Sequence, residues 1–185
     1  MVRQASDCLT WSIGFRAPSD RELVAGFLDF LQDRLEPPGR YADPGSRPAR
    51  HPGEIPASLI AHARGALAQI RWSEDDVREF TGRFLSEPKP QVYFTPPRSP
   101  LSRAQFETRA ARGGLALDLR SRLLFSGTMF FLNGEALEAP SQARAQLRRL
   151  ADERTLQGPL AAGRVFWDAA YAWYLQGFVH PREDT

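Results

Sequence analysis

The chain reads as mainly α-helical, closing in a small α+β module, and three observations carry that reading. Serine-led helix starts recur at Ser19, Ser73 and Ser102, each ahead of an apolar stripe at helical spacing. Short apolar runs crowd into residues 115–139, around the Asn133-Gly134 dipeptide, whose two residues tolerate the positive φ of a two-residue hairpin turn. Helical patterns resume after that hairpin and continue almost to the end of the chain.

The first element expected is nonetheless a strand. Leu9, Trp11, Ile13 and Phe15 alternate with Thr10, Ser12 and Gly14, the period-two pattern of one bulky apolar face and one small polar face. Such a face suits the lining of a pocket. No earlier strand is at hand to pair with it, and a lone strand leaves its backbone groups unsatisfied. It therefore belongs to a distant sheet or to a sheet whose other members are missing.

Ser19-Asp20-Arg21-Glu22 forms a capping box opening a first helix, with Leu23, Phe27, Phe30, Leu31 and Leu35 on one face and Val24 and Leu28 broadening it. Pro37-Pro38-Gly39 ends it, and residues 40–56 read as a proline-stiffened loop. Pro56 can open a second helix whose apolar side is Leu59, Ile60, Ala63, Leu67 and Ile70. Ser73 caps a third, where Glu74, Asp75 and Asp76 meet the positive end of the helix dipole and Val77, Phe80 and Phe84 form the buried side. Residues 91–98, with a Pro96-Pro97 pair, read as an extended linker.

Beyond it, Ser102 and Gln105 box a further helix that Gly113-Gly114 closes. Strands are expected at 115–119, 123–126, 129–132 and 135–139. Ser141 is expected to cap a helix carrying Leu147 and Leu150, and a last helix over 162–176 stops at Gly177, with Pro181 preventing a restart. Helix, short strands with a hairpin, then two helices resemble a winged helix. The resulting division is 1–18 for the isolated strand, 19–90 for a helical region, 91–98 for the linker and 99–185 for the winged-helix-like domain.

Composition narrows the chemistry. The 185 residues are 42% hydrophobic and 25% charged, too apolar for a disordered chain. Formal net charge is only +2, which argues against a strongly basic nucleic-acid binder. Cys8, the single cysteine, excludes an intrachain disulfide and a thiolate metal cluster, and lacks a neighbouring base to act as a nucleophile. No signal peptide is recognised at the start, and no apolar run is long enough to span a bilayer, so a cytoplasmic protein without a membrane partner is expected.

His51, His62 and His180 form no His-x-Asp or His-x-x-x-His pair, so local spacing draws no iron or zinc site. His180 with Glu183 and Asp184 reads as a polar tail. Arg144, Arg148, Arg149 and Arg154 read first as a solvated helix face and second as a nucleic-acid contact, and Glu135 at the hairpin tip is unfavourable beside phosphate.

Five stretches occur in order: 11–19 (WSIGFRAPS), 41–44 (YADP), 51–56 (HPGEIP), 87–90 (EPKP) and 132–135 (LNGE). Together they resemble the C-terminal half of the bacterial JmjC-type, cupin-like ribosomal oxygenases that hydroxylate a ribosomal-protein arginine. The resemblance implies a double-stranded β-helix binding Fe(II) and 2-oxoglutarate, a helical region making a homodimer, and a winged-helix-like domain. It makes residues 1–18 the remnant last strand of the barrel, with Thr10 and Ser12 facing the cosubstrate. An His-x-Asp…His iron triad would then lie upstream of Met1, so no metal ligand and no cofactor are expected in this chain, and the isolated chain should not hydroxylate anything. The expectation is thus a truncated or split ribosomal oxygenase. Its partners would be a second copy through the helical region, and a separate JmjC half or a ribosomal protein; nucleic acid is not expected. A stand-alone dimeric winged-helix binder of nucleic acid is the alternative.

Overall fold

A computed structural model describes residues 17–42 and 51–182. The chain divides into two units, Met1–Leu35 and Glu36–Thr185.

In the first unit α1 spans Asp20–Gln32. Ser19 accepts from the Glu22 backbone N–H, and the Glu22 carboxylate takes the Ser19 backbone N–H at 2.8 Å, which completes the expected box. Leu31 is buried, Leu23, Phe27, Phe30 and Leu35 are half-buried, and Val24 and Leu28 stand exposed. Phe27 and Phe30 stack with centroids 6.0 Å apart, and the Arg34 guanidinium lies 4.1 Å from the Phe30 ring. The strand expected over 9–15, with Thr10 and Ser12, lies outside the described residues.

The second unit begins with α2, Ala57–Leu67, whose N-cap is Pro56 itself rather than the first helical residue. Tyr41 reaches α2 through a hydroxyl–hydroxyl bond to Ser58 at 2.8 Å and an edge contact on His62 at 5.4 Å. None of α2's residues is buried; Leu59, Ile60 and Leu67 face solvent. Its apolar stripe therefore finds no cover within this chain's described residues.

Next comes α3, Glu74–Ser86, boxed by Ser73 and Asp76. The remaining elements are α4 (Arg103–Gly113), β1 (Gly114–Leu117), β2 (Leu123–Ser126), β3 (Met129–Leu132), β4 (Glu135–Glu138), α5 (Ser141–Glu153), β5 (Thr155–Gln157), α6 (Arg164–Leu175) and β6 (Val179–Pro181). Two antiparallel sheets result, ordered β5-β1-β6 and β2-β3-β4. In the first, Leu115 faces Leu156 and Leu117 faces Val179, all four buried. Phe106 of α4 lies under them, fully buried, its ring 4.8 Å from Tyr174 and 5.5 Å from Tyr171. Both tyrosines grip the backbone before α4: Leu101 N–H donates to the Tyr174 hydroxyl at 3.0 Å, and the Tyr171 hydroxyl donates to Leu101 O at 3.1 Å. Leu147 and Leu150 of α5 and Phe166, Ala170 and Trp173 of α6 complete this core. Each buried aromatic of this size contributes about 1.5–3 kcal/mol by leaving water.

In the second sheet Asn133-Gly134 makes the expected turn, at φ 51° and 90°. Phe130, Phe131 and Leu132 are all buried, so β3 is covered on both faces. Phe130 and Leu132 join the main core, while Phe131 meets α3 at Gly82. Arg83 of α3 donates to Gly134 O at 2.9 Å, and the Ser86 hydroxyl accepts from Gly134 N–H at 3.0 Å. Thus α3, placed with the helical region by its position in sequence, packs on the wing sheet.

Several local expectations change. Ser141 is the first residue of α5 and Pro140 is its N-cap. Residues 91–98 hold no helix or strand but are tied down: Phe94 packs edge-on against Phe178 at 4.7 Å, and Tyr93 O accepts from Arg120 at 2.6 Å. Pro181 does not merely block a helix; it ends β6, an edge strand where a missing N–H is tolerated. His180 sits in that strand opposite Ala116 rather than in a frayed tail.

Candidate interaction surfaces

Titratable groups gather where β1, β6 and the turn after β1 meet. Asp118 accepts from Arg120 Nε at 2.8 Å, from Arg120 Nη2 at 2.9 Å and from the Arg120 backbone N–H at 2.9 Å, and His180 Nε2 lies 3.4 Å away. The Arg120 guanidinium, with smaller help from its backbone N–H and from His180, holds the Asp118 carboxyl well below the usual carboxylate range despite partial desolvation. A bidentate pair so fully engaged is an architectural tie. It also joins the strap at Tyr93 to the sheet.

The arginines of α5 are likewise occupied. Arg154 follows the helix in a left-handed conformation, φ 61°, and donates to Asp118 O at 2.9 Å and Ser121 O at 3.1 Å. Arg144 donates to Ala139 O at 2.8 Å, Arg148 reaches Gly127 O at 3.2 Å and lies 5.5 Å from the Phe125 ring, and Arg149 pairs with Glu153 at 3.2 Å. The stretch that sequence alone left open to nucleic acid is thus spent largely on internal bonds.

No set of three or more His, Cys, Asp or Glu side chains capable of holding a metal occurs among the described residues. His51 lies in a turn, where its carbonyl accepts from Glu54 N–H at 3.0 Å; His62 contacts Tyr41; His180 faces Asp118. Each of the three histidines thus has a different neighbour. Thr10, Ser12 and Cys8 fall outside the described residues.

Two grooves flank the core. One, of about 550 Å³, runs between α3 and β2 and is lined by Val77, Leu85, Leu124, Phe125 and Phe131, with Asp152 at its margin. The other, of about 650 Å³, lies along α4, where Leu101 and Ala104 give way to Thr108, Arg109, Arg112 and Arg182. Sequence reasoning passed over this second cluster. The i,i+3 pair Arg109 and Arg112 was visible on α4, but nothing in the sequence brings Arg182 to it from beyond β6.

A hairpin sheet carried between helices, with α4 and α6 packed on β1 and β6, defines a winged-helix protein. The family model described as "ROXA-like winged helix" matches residues 69–180, and the chain belongs to that family. The match starts just ahead of α3, in keeping with that helix's seat on the wing sheet. The chain is also 26% identical, over 135 residues and 72% of its length, to the ribosomal protein uL16 3-hydroxylase of Escherichia coli strain K12, to which it is homologous. It spans 36% of that relative's length, in its C-terminal part. Among solved structures, the Escherichia coli ribosomal oxygenase YcfD in complex with cobalt and 2-oxoglutarate superposes with a TM-score of 0.65 at 25% identity, over 91% of this chain and 47% of that one. The complex of YcfD with cobalt and succinic acid gives 0.63 at 24%, over 90% and 47%. Among the described residues no helix is long and apolar enough to cross a membrane.

Proposed function

We propose that this chain is the dimerising and winged-helix part of an Fe(II)- and 2-oxoglutarate-dependent ribosomal-protein arginine hydroxylase of the JmjC type, working in the cytoplasm. The observation that carries the reading is the family match over 69–180 together with homology to a uL16 hydroxylase. In this reading residues 1–18 supply the last strand of a JmjC barrel, Thr10 and Ser12 face the cosubstrate, and the iron ligands come from outside this chain's residues. A second copy docks through the helical region. The exposed apolar side chains Val24 and Leu28 on α1, and Leu59, Ile60 and Leu67 on α2, support that role, because uncovered stripes of this kind mark association surfaces. Alone, the chain turns over no 2-oxoglutarate.

The test combines light scattering with a coupled assay on the purified chain. A dimer mass, dissociating on dilution or on Ile60→Asp substitution, with no succinate formed in the presence of Fe(II) and a uL16-derived arginine peptide, is the expected result. A concentration-independent monomer, or measurable turnover, overturns the corresponding half of the proposal.

A further inference from the structure

Asn133 is the chain's only asparagine, and a glycine follows it. Asparagine is chemically labile, and most so before glycine, where no side chain shields the next backbone nitrogen from the carboxamide. Deamidation needs that nitrogen to lose its proton and the asparagine Cγ to swing onto it. In the folded chain both groups are held. Asn133 is buried, its Oδ1 accepting from Arg122 N–H at 2.9 Å and its Nδ2 donating to the Ser121 hydroxyl at 3.1 Å. The Gly134 N–H donates to the Ser86 hydroxyl at 3.0 Å, and that buried hydroxyl donates in turn to Arg83 O at 3.2 Å. Arg83 also donates to Gly134 O at 2.9 Å. The end of α3 lies so close over the turn that a Cβ on Gly134 would stand 3.7 Å from Glu87 Cβ. Every one of these restraints on Gly134 comes from α3 or the residue after it.

From this arrangement we infer that Asn133-Gly134 is a self-modification site, closed while α3 sits on the wing sheet and opened when α3 leaves it. Once freed, the Gly134 nitrogen gives its proton to solvent and attacks Asn133 Cγ. The Cγ–Nδ2 bond breaks, ammonia leaves with a proton from water, and a five-membered imide remains. Water then opens the imide at either carbonyl, giving aspartate or isoaspartate at position 133 with no change of oxidation state. Both products lack the Nδ2 donor that holds the Ser121 hydroxyl, and both carry a charge where a neutral amide was buried. Isoaspartate also lengthens the backbone between β3 and β4, which moves Gly134 N–H off Ser86. The modified wing therefore seats α3 less well, and a transient opening becomes a lasting one. The inference stands apart from the proposed hydroxylase role, since it draws only on α3 and the wing sheet.

Mass spectrometry on the full chain, held in mildly alkaline buffer with and without urea, tests the inference, and peptide mapping assigns the change to position 133. The folded chain should deamidate at least about tenfold more slowly than the urea-unfolded one. Ser86→Ala removes one hydrogen bond of the gate and should raise the folded-state rate by about fivefold to tenfold, leaving the unfolded rate unchanged. Leu156→Val, a core loss in the other sheet, should leave the folded-state rate near wild type. Should Ser86→Ala fail to fold by circular dichroism, the wild-type chain in sub-denaturing urea serves instead. There the deamidation rate should rise in step with hydrogen exchange of the α3 amides. A folded chain as labile as the unfolded one, an unchanged or slower rate in Ser86→Ala, an equal rise in Leu156→Val, or a rate that follows only global unfolding would each overturn the proposal.

Discussion

Gly82 lies flat against the Phe131 ring: a Cβ built on Gly82 would fall under 3.0 Å from three of its ring carbons. Phe131 is buried and cannot swing away without breaking the contact of α3 with β3. This close approach, with the bonds of Arg83 and Ser86 to Gly134, seats α3 on the wing sheet.

It also yields an inverted mutational effect. In an open helix interior Gly→Ala stabilises by about 1 kcal/mol. Here overpacking against Phe131 should dominate, and Gly82→Ala should lose about 1–3 kcal/mol in urea unfolding. A midpoint equal to or above wild type would mean that the ring moves freely and that α3 is only loosely seated.

Asp118 gives a pH-dependent prediction. Its folded carboxyl is depressed below the unfolded value of about 3.9, so its contribution is present above that value and fades as pH falls through the folded one. Asp118→Asn should therefore cost about 1–3 kcal/mol at neutral pH, the range for losing hydrogen bonds to a charged group. The gap between the two proteins should be full above about pH 5 and narrow steadily below about pH 4. Denaturant titrations of both across that range check it; a gap that stays constant would remove the carboxylate charge from the account.

Local signals proved legible in proportion to how much their physics is local. The capping boxes at Ser19 and Ser102, the Ser73 cap and the Asn133-Gly134 turn depend on residues within a few positions, and all four form. Strands β5 and β6 escaped notice because each has three residues and is specified by its partner β1, through pairs such as Leu115 with Leu156 and Leu117 with Val179. Arg154 read as surface charge because its three acceptors, the carbonyls of Asp118, Leu119 and Ser121, lie more than 30 positions away in sequence. The α3 stripe announced a buried face and could not say which surface would cover it.

The last prediction concerns Asn133, the buried hinge between the two sheets. Its Oδ1 accepts from Arg122 N–H at 2.9 Å, its Nδ2 donates to the Ser121 hydroxyl at 3.1 Å, and that hydroxyl donates to Phe178 O, ahead of β6, at 2.9 Å. One side chain thus closes the hairpin and reaches toward the first sheet, at a positive φ that asparagine tolerates better than alanine. Asn133→Gly keeps the backbone geometry and loses only the bonds; Asn133→Ala loses both. Expected costs are about 1–2 kcal/mol for glycine and about 2–3 kcal/mol for alanine by thermal or urea unfolding. Equal losses would assign the whole effect to the hydrogen bonds, and a neutral glycine variant would assign it to the turn, which would sever the inferred link from Asn133 through Ser121 to Phe178.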